Sequence, residues 1–145
     1  MRQHKTSMLA VLAAAVLVFT GCSAEQGLKA LDRPATDRDA LPNGVVVMAG
    51  ADKTLTDSFR LLAEKDGYSY YVGQNVKERV SCLAVVPAGD QPAWGAVCGD
   101  LSRADHILGL GLDNGRLNVR LVGDDADTKK LESEGATRIH QNIYR

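Results

Sequence analysis

Cys82 and Cys98, His106 and His140, and the acidic run Asp124, Asp125 and Asp127 are the side chains with the most obvious chemistry to offer. The two cysteines enclose about 15 residues, in which Pro87-Ala88-Gly89-Asp90-Gln91-Pro92 separates the apolar runs Arg79–Val86 and Ala93–Cys98. That central composition is a turn's, so the stretch predicts a hairpin. If Ala84 faces Ala96 and Val86 faces Trp94, then Cys82 lies directly opposite Cys98. Opposed residues at a position without ladder hydrogen bonds have Cα atoms about 4.5 Å apart, at the short end of what a disulfide accepts. Such a bridge is structural and contributes about 3 kcal/mol on the chain-entropy model. A redox site would show Cys-x-x-Cys, and a zinc site would need two further ligands at short spacing; neither pattern is present.

The histidines stand outside His-Glu-x-x-His, and the sequence holds no Gly-x-Ser-x-Gly elbow, P-loop lysine or Ser-x-x-Lys. They define one alternative function, a small envelope hydrolase using His106 or His140 with nearby aspartates, and no catalytic residue is assigned. Asp124, Asp125 and Asp127 lack the glycine and glutamate of a calcium-binding EF-hand loop, and acidic residues at a helix start cap its free N–H groups. No metal or cofactor is therefore expected. Gly109-Leu110-Gly111-Leu112 has the wrong spacing for a dinucleotide loop and reads as a strand entering a turn. Tyr70, Tyr71 and Trp94 are candidates for a ligand surface, although aromatic residues in strands more often fill a core. Arg116, Arg120 and Arg138 form a basic patch if their strands are neighbours; otherwise they are solvated charges.

Ahead of these groups the chain carries Arg2, His4 and Lys5, an uncharged apolar run from Met8 to Phe19, and Thr20-Gly21-Cys22. Twelve apolar residues are too few for a spanning helix, which needs roughly 20. They suit the hydrophobic region of a secretory signal, with the basic head retained inside. The whole resembles a bacterial lipoprotein precursor ending in a lipobox, departing from the family pattern at Phe19, where Leu, Val or Ile is usual. The resemblance implies removal of residues 1–21, diacylglycerol on Cys22, and a location at the extracytoplasmic face of the cell membrane, with the membrane as partner through that lipid. Acylation also accounts for the odd cysteine, and export places Cys82 and Cys98 where thiols oxidise.

Loss of the signal leaves about 120 residues, one domain's worth. Removing Arg2 and Lys5 takes the formal charge from −1 to −3, which argues against nucleic acid as a partner. Residues 22–44 are polar and broken by Arg33-Pro34 and Leu41-Pro42-Asn43-Gly44, so they read as a flexible tether; a short helix around Leu28–Leu31 docking on the domain is the alternative. The domain itself is assigned to 45–145. Val45–Met48 predicts a strand. Thr54-x-x-Asp57 with Leu55, Phe59, Leu62 and Ala63 predicts an amphipathic helix closed by Asp66-Gly67. Strands follow at Tyr68–Gly73, with Tyr68, Tyr70 and Val72 on one face and Tyr71 on the other, then at the cysteine hairpin. Ile107–Leu112 and Arg116–Val122 flank Asn114-Gly115, a strong hairpin signal. Asp127–Glu134 reads as a second helix, and Ala136–Tyr144 as a closing strand.

Tyr70-Tyr71-Val72-Gly73, Val80-Ser81-Cys82-Leu83, Cys98-Gly99 and Gly109-Leu110-Gly111-Leu112, with a last apolar strand after an acid-rich helix, make Tyr68–Tyr144 similar to small exported domains of actinobacterial lipoproteins and cell-surface proteins. That group has no assigned activity, so the resemblance implies export and fold and supplies no chemistry. The expected fold is α+β: a mainly antiparallel sheet of five or six hairpin-linked strands, two short helices, one of them carrying Leu55, Phe59 and Leu62 across a sheet face, and one disulfide. The expected function is a membrane-anchored, non-enzymatic envelope role, binding a protein or cell-wall partner.

Overall fold

Asp66 and Gly67 both take positive φ, 52° and 79°, the backbone of a two-residue turn whose twist suits paired strands. The turn joins β1 (Arg60–Lys65) to β2 (Tyr68–Asn75), with Lys65 opposite Tyr68. The helix expected to run up to Asp66-Gly67 is thereby cut short, and α1 spans only Lys53–Ser58. Spacing at Leu55 and Phe59 fits a single helical turn, whereas the Asp-Gly hairpin draws the following residues into the sheet. A register shift between Leu61 and Ala63 marks a bulge, which turns Leu62 and Ala63 toward one side of the sheet and leaves Leu61 on the other.

The computed structural model describes residues 27–47, 53–89 and 93–145. Cys22 and the whole expected signal lie outside the described residues, as do Met48 and Asp90–Pro92. Within them, β3 (Val80–Pro87) and β4 (Gly95–Gly99) complete a four-stranded antiparallel sheet in chain order. The expected cysteine register is observed, with Cys82 opposite Cys98 and Ala84 opposite Ala96. Paired residues end at Val85 and Gly95, so Trp94 lies just past the ladder while sharing an apolar cluster with Val86.

A second antiparallel sheet contains β5 (Ile107–Leu112), β6 (Leu117–Val122), β7 (Arg138–His140) and β8 (Ile143–Tyr144), in the order β5-β6-β8-β7. Asp113, Asn114 and Gly115 all have positive φ and make the β5–β6 turn. α2 (Lys129–Ser133) precedes β7. The single closing strand expected over Ala136–Tyr144 is folded back on itself, because buried Asn142 satisfies the end of β6: the Val122 N–H donates to the Asn142 carbonyl, and the Asn142 amide donates to the Val122 carbonyl. Among the described residues, eight strands in two sheets thus replace the expected five or six in one. The coarse class holds, since the domain is mainly antiparallel β with short helices.

The sheets enclose a core of Tyr70, Val72, Leu83, Val85, Leu117, Val119, Leu121 and Ile143. They approach closely along β4 and β5 because β4 offers glycines. A Cβ at Gly95 would fall 2.5 Å from Leu112 Cδ2, and one at Gly99 2.6 Å from Leu108 Cδ2. The outer face of the first sheet carries Tyr71, Cys82, Ala84 and Val86, covered by Leu55 and Phe59 from α1 and its C-terminal edge and by Leu41, Val45 and Val47. Val45–Val47 is irregular chain and not the expected strand, and Val46 is 61% exposed. The outer face of the second sheet has a smaller cover, Leu131 of α2 on Val122 and Tyr144.

Residues 27–44 do not behave as the free tether expected of 22–44. Leu28 is buried in the inter-sheet core with 4% exposure, and single 3-10 turns form at Lys29–Leu31 and Asp37–Asp39. The docked short helix is the alternative that fits.

Candidate functional site

The sequence around Thr36 builds the tightest polar cluster described. Thr36-x-x-Asp39 forms a capping box in which the Thr36 N–H and hydroxyl both donate to Asp39 Oδ2, at 2.7 and 2.9 Å. Arg33 grips the same carboxylate with both terminal nitrogens, a bidentate pairing that favours Arg over Lys. Leu61 N–H donates to Asp39 Oδ1 at 2.8 Å, and the Leu61 carbonyl accepts from Arg33 at 3.2 Å. The bulge in β1 leaves those backbone groups facing outward on an edge strand, and the arm formed by residues 27–44 satisfies them. Asp39 is only 3% exposed. The Arg33 guanidinium outweighs that burial and holds the carboxyl well below the usual carboxylate range.

The arm's other end crosses an open edge of the core. Leu28 N–H donates to Gln74 Oε1 and Lys29 N–H to Asp124 Oδ2, each at 2.8 Å. Asp124 Oδ1 accepts from Asn142 Nδ2, also at 2.8 Å. Asp124 is therefore a structural clasp between arm, β6 end and the β7–β8 turn. Asp127 Oδ1 accepts from Lys129 N–H at the start of α2, the capping role expected of it. No group of three or more metal-ligating side chains occurs among the described residues.

On the open face of the second sheet lies a groove of about 540 Å3. Ile107 and Leu131 supply apolar walls, Arg120 rises from β6, and Asp105, Lys130 and Glu134 stand on the rim. Asp105 is paired with Arg103, and Lys130 with Glu134 at 3.9 Å. Among the described residues Arg120 makes no ion pair, and Ile107 is 42% exposed. Arg120 and Arg138 are both register partners of Tyr144, so two of the three suspected arginines do share one row across the sheet. Arg116 lies at the far turn and joins neither.

The remaining candidates are scattered. Cys82 and Cys98 are joined, with Cα atoms 4.1 Å apart. Tyr70 and Tyr71 are buried on opposite faces of β2, so with half-buried Trp94 they make no common ligand surface. Burial pushes the Tyr70 hydroxyl up, partly countered by Arg145 nearby. His106 Nδ1 is 2.9 Å from the Asp100 carbonyl oxygen. His140 Nδ1 accepts from Asn142 N–H at 3.2 Å, and burial, then Arg138, push its imidazole down. The two imidazoles thus use their Nδ1 atoms on backbone groups.

A signal for the Arg33–Asp39 clasp lies in the sequence, since Thr36-x-x-Asp39 has the same spacing as Thr54-x-x-Asp57, although the polar, broken composition of 22–44 predicts a tether. No family model, curated protein or solved structure matches the chain.

Proposed function

We propose that this chain is a lipid-anchored, extracytoplasmic protein with a binding role, carried on Cys22 and presenting the Arg120 groove to an envelope protein or cell-wall partner. The observation that carries the proposal is the fate of the cysteines. Cys82 and Cys98 are consumed by one bridge, which leaves Cys22 as the sole remaining thiol, at the end of an apolar signal. A disulfide at this position also fits a compartment that oxidises thiols. The groove supports binding because it joins apolar walls to a guanidinium that makes no ion pair among the described residues. The hydrolase reading draws less support, since His106 and His140 each engage a backbone group where a triad would engage a carboxylate.

Metabolic labelling with a fatty acid tests the anchor. Wild-type protein should incorporate label and lose residues 1–21, while Cys22→Ala should accumulate as unlabelled precursor. Unlipidated wild-type protein released into the medium would overturn the reading.

A further inference from the structure

We infer that the docked arm fixes how the domain faces the membrane: the end bearing Gln74 and Asp124 lies against the lipid, and the opposite turns point away. This rests on lipidation of Cys22. Gly27 already touches the domain, since a Cβ there would lie 3.1 Å from Gln74 Oε1 and 3.2 Å from Val76 Cγ2. Only four residues, Ser23 to Gln26, lie between it and Cys22, and the five residue steps, fully extended, reach at most about 18 Å. A tether running to residue 44 would have let the domain wander several times as far. From Gly27 onward the arm is held by the burial of Leu28, by Lys29 on Asp124 and by the Arg33–Asp39 clasp, so the leash cannot lengthen without undoing the fold.

Strand directions identify what shares that end. β2 and β6 finish there and β3 and β5 begin there, so Lys77-Glu78-Arg79, the 100–106 loop, the Asp124–Asp127 run and the β7–β8 turn share the membrane-facing end. The Arg120 groove, bordered near this end by Asp105 and Asp127, opens from the outer face of the second sheet, sideways to the strand axis and open to a partner. Ile107, one of the two large apolar side chains exposed among the described residues, begins β5 at this same end. The opposite end holds the turns Asp66–Gly67, Ala88–Gly89 and Asp113–Gly115, with Arg145 paired to Asp66. Roughly 25 Å of strand stands between the two ends. The carboxylates near Asp124 make charge attraction to an anionic bilayer a poor explanation for this orientation, which leaves the short leash as its cause.

Energy transfer measures the orientation. Lys77→Cys and Lys65→Cys, exposed positions at opposite ends, take a maleimide donor selectively because Cys22 is acylated and the other cysteines are bridged. The acylated proteins are placed in phosphatidylcholine/phosphatidylglycerol vesicles containing a trace of acceptor-labelled lipid. Transfer should be about twofold or more stronger from Lys77→Cys, given the added strand height. A ten-residue Gly/Ser insertion between Gln26 and Gly27 should abolish the difference while the protein still floats with the vesicles. Flotation with equal transfer from both labels, or stronger transfer from Lys65→Cys, would overturn the orientation alone, and a difference that survives the insertion would overturn the leash. Failure to float at all would overturn the lipid anchor with it.

Discussion

The two sheets are similar in strand number and differ in how completely they are finished. The first follows chain order, is crosslinked through Cys82–Cys98, and is packed on both faces. The second departs from chain order at β8-β7, has no crosslink, and leaves part of its outer face as the Arg120 groove. The open face thus belongs to the sheet that is less completely packed on its outer side.

The largest expected effects lie where the sheets are alike. Leu83 and Leu121 are fully buried in the shared core, one from each sheet. Leu83→Ala and Leu121→Ala should each destabilise by about 2–5 kcal/mol. Chemical denaturation should show one transition for both, because a common core couples the sheets. A second transition in Leu121→Ala alone would mean that the sheets unfold separately, and the contrast between them would become one between two folding units.

Removing the crosslink asks how much of the first sheet's advantage is covalent. Replacing Cys82 and Cys98 together with Ala should cost about 3 kcal/mol, the loop-closure value for a loop of about 15 residues. The protein should still fold, since Cys82 sits among Leu55, Phe59 and Tyr71. Mass spectrometry before and after reduction checks the bond, and free thiols on both cysteines in protein taken from its native cell would withdraw it.

Legibility in the sequence divides along the same line. The cysteine register and the two faces of Tyr68–Gly73 could be derived because alternation and a short turn fix local pairing. The β7–β8 reversal could not, since the buried Asn142 that enforces it looks in sequence like any polar residue of an alternating strand. The α1–β1 boundary is ambiguous in sequence for a related reason: Asp66-Gly67 serves equally as a helix end and a hairpin turn, and pairing with Tyr68–Asn75 decides between them. Of the candidate site, the disulfide was legible, while the Arg120 groove needed the three-dimensional neighbourhood of α2 and the 104–107 loop.

Acid should affect the two sheets in separate pH windows. His140, on β7, has its pKa lowered by burial, so the folded state favours the neutral ring. The stability it preserves is present above the ordinary histidine range of about 6.5 and falls as pH drops below it. Asp39, clasped to β1, also has a lowered pKa, chiefly through Arg33. Its contribution is present above the ordinary carboxylate range of about 4 and is lost only as pH falls below that. His140→Gln should remove the first loss and Asp39→Asn the second, as read from unfolding midpoints at successive pH values. At neutral pH Asp39→Ala should cost about 2–3 kcal/mol, in line with hydrogen bonds to a charged group, with the exposed half of the Arg33 pairing adding little. A midpoint in Asp39→Ala equal to wild type would show that the arm holds without its clasp.

The smallest effects should differ in sign between the sheets. Gly73, in β2, lies flat beneath the Phe59 ring, and a Cβ there would come within 2.8 Å of Phe59 Cδ2 and Cε2. Phe59 is itself buried against the first sheet, so Gly73→Ala must displace a packed ring and should destabilise by about 1–3 kcal/mol. Gly109, in β5, would place a Cβ with nothing within 4 Å, on the open face of the second sheet. There the added methyl restricts the unfolded chain without a clash, and Gly109→Ala should stabilise by about 0.4–1 kcal/mol. Opposite shifts of the thermal midpoint would confirm that the first sheet's outer face is filled and that the second's is open around Gly109. Destabilisation by Gly109→Ala would show instead that the second sheet's outer face is covered in solution, and the groove beside Arg120 would then have to be reconsidered as a filled surface.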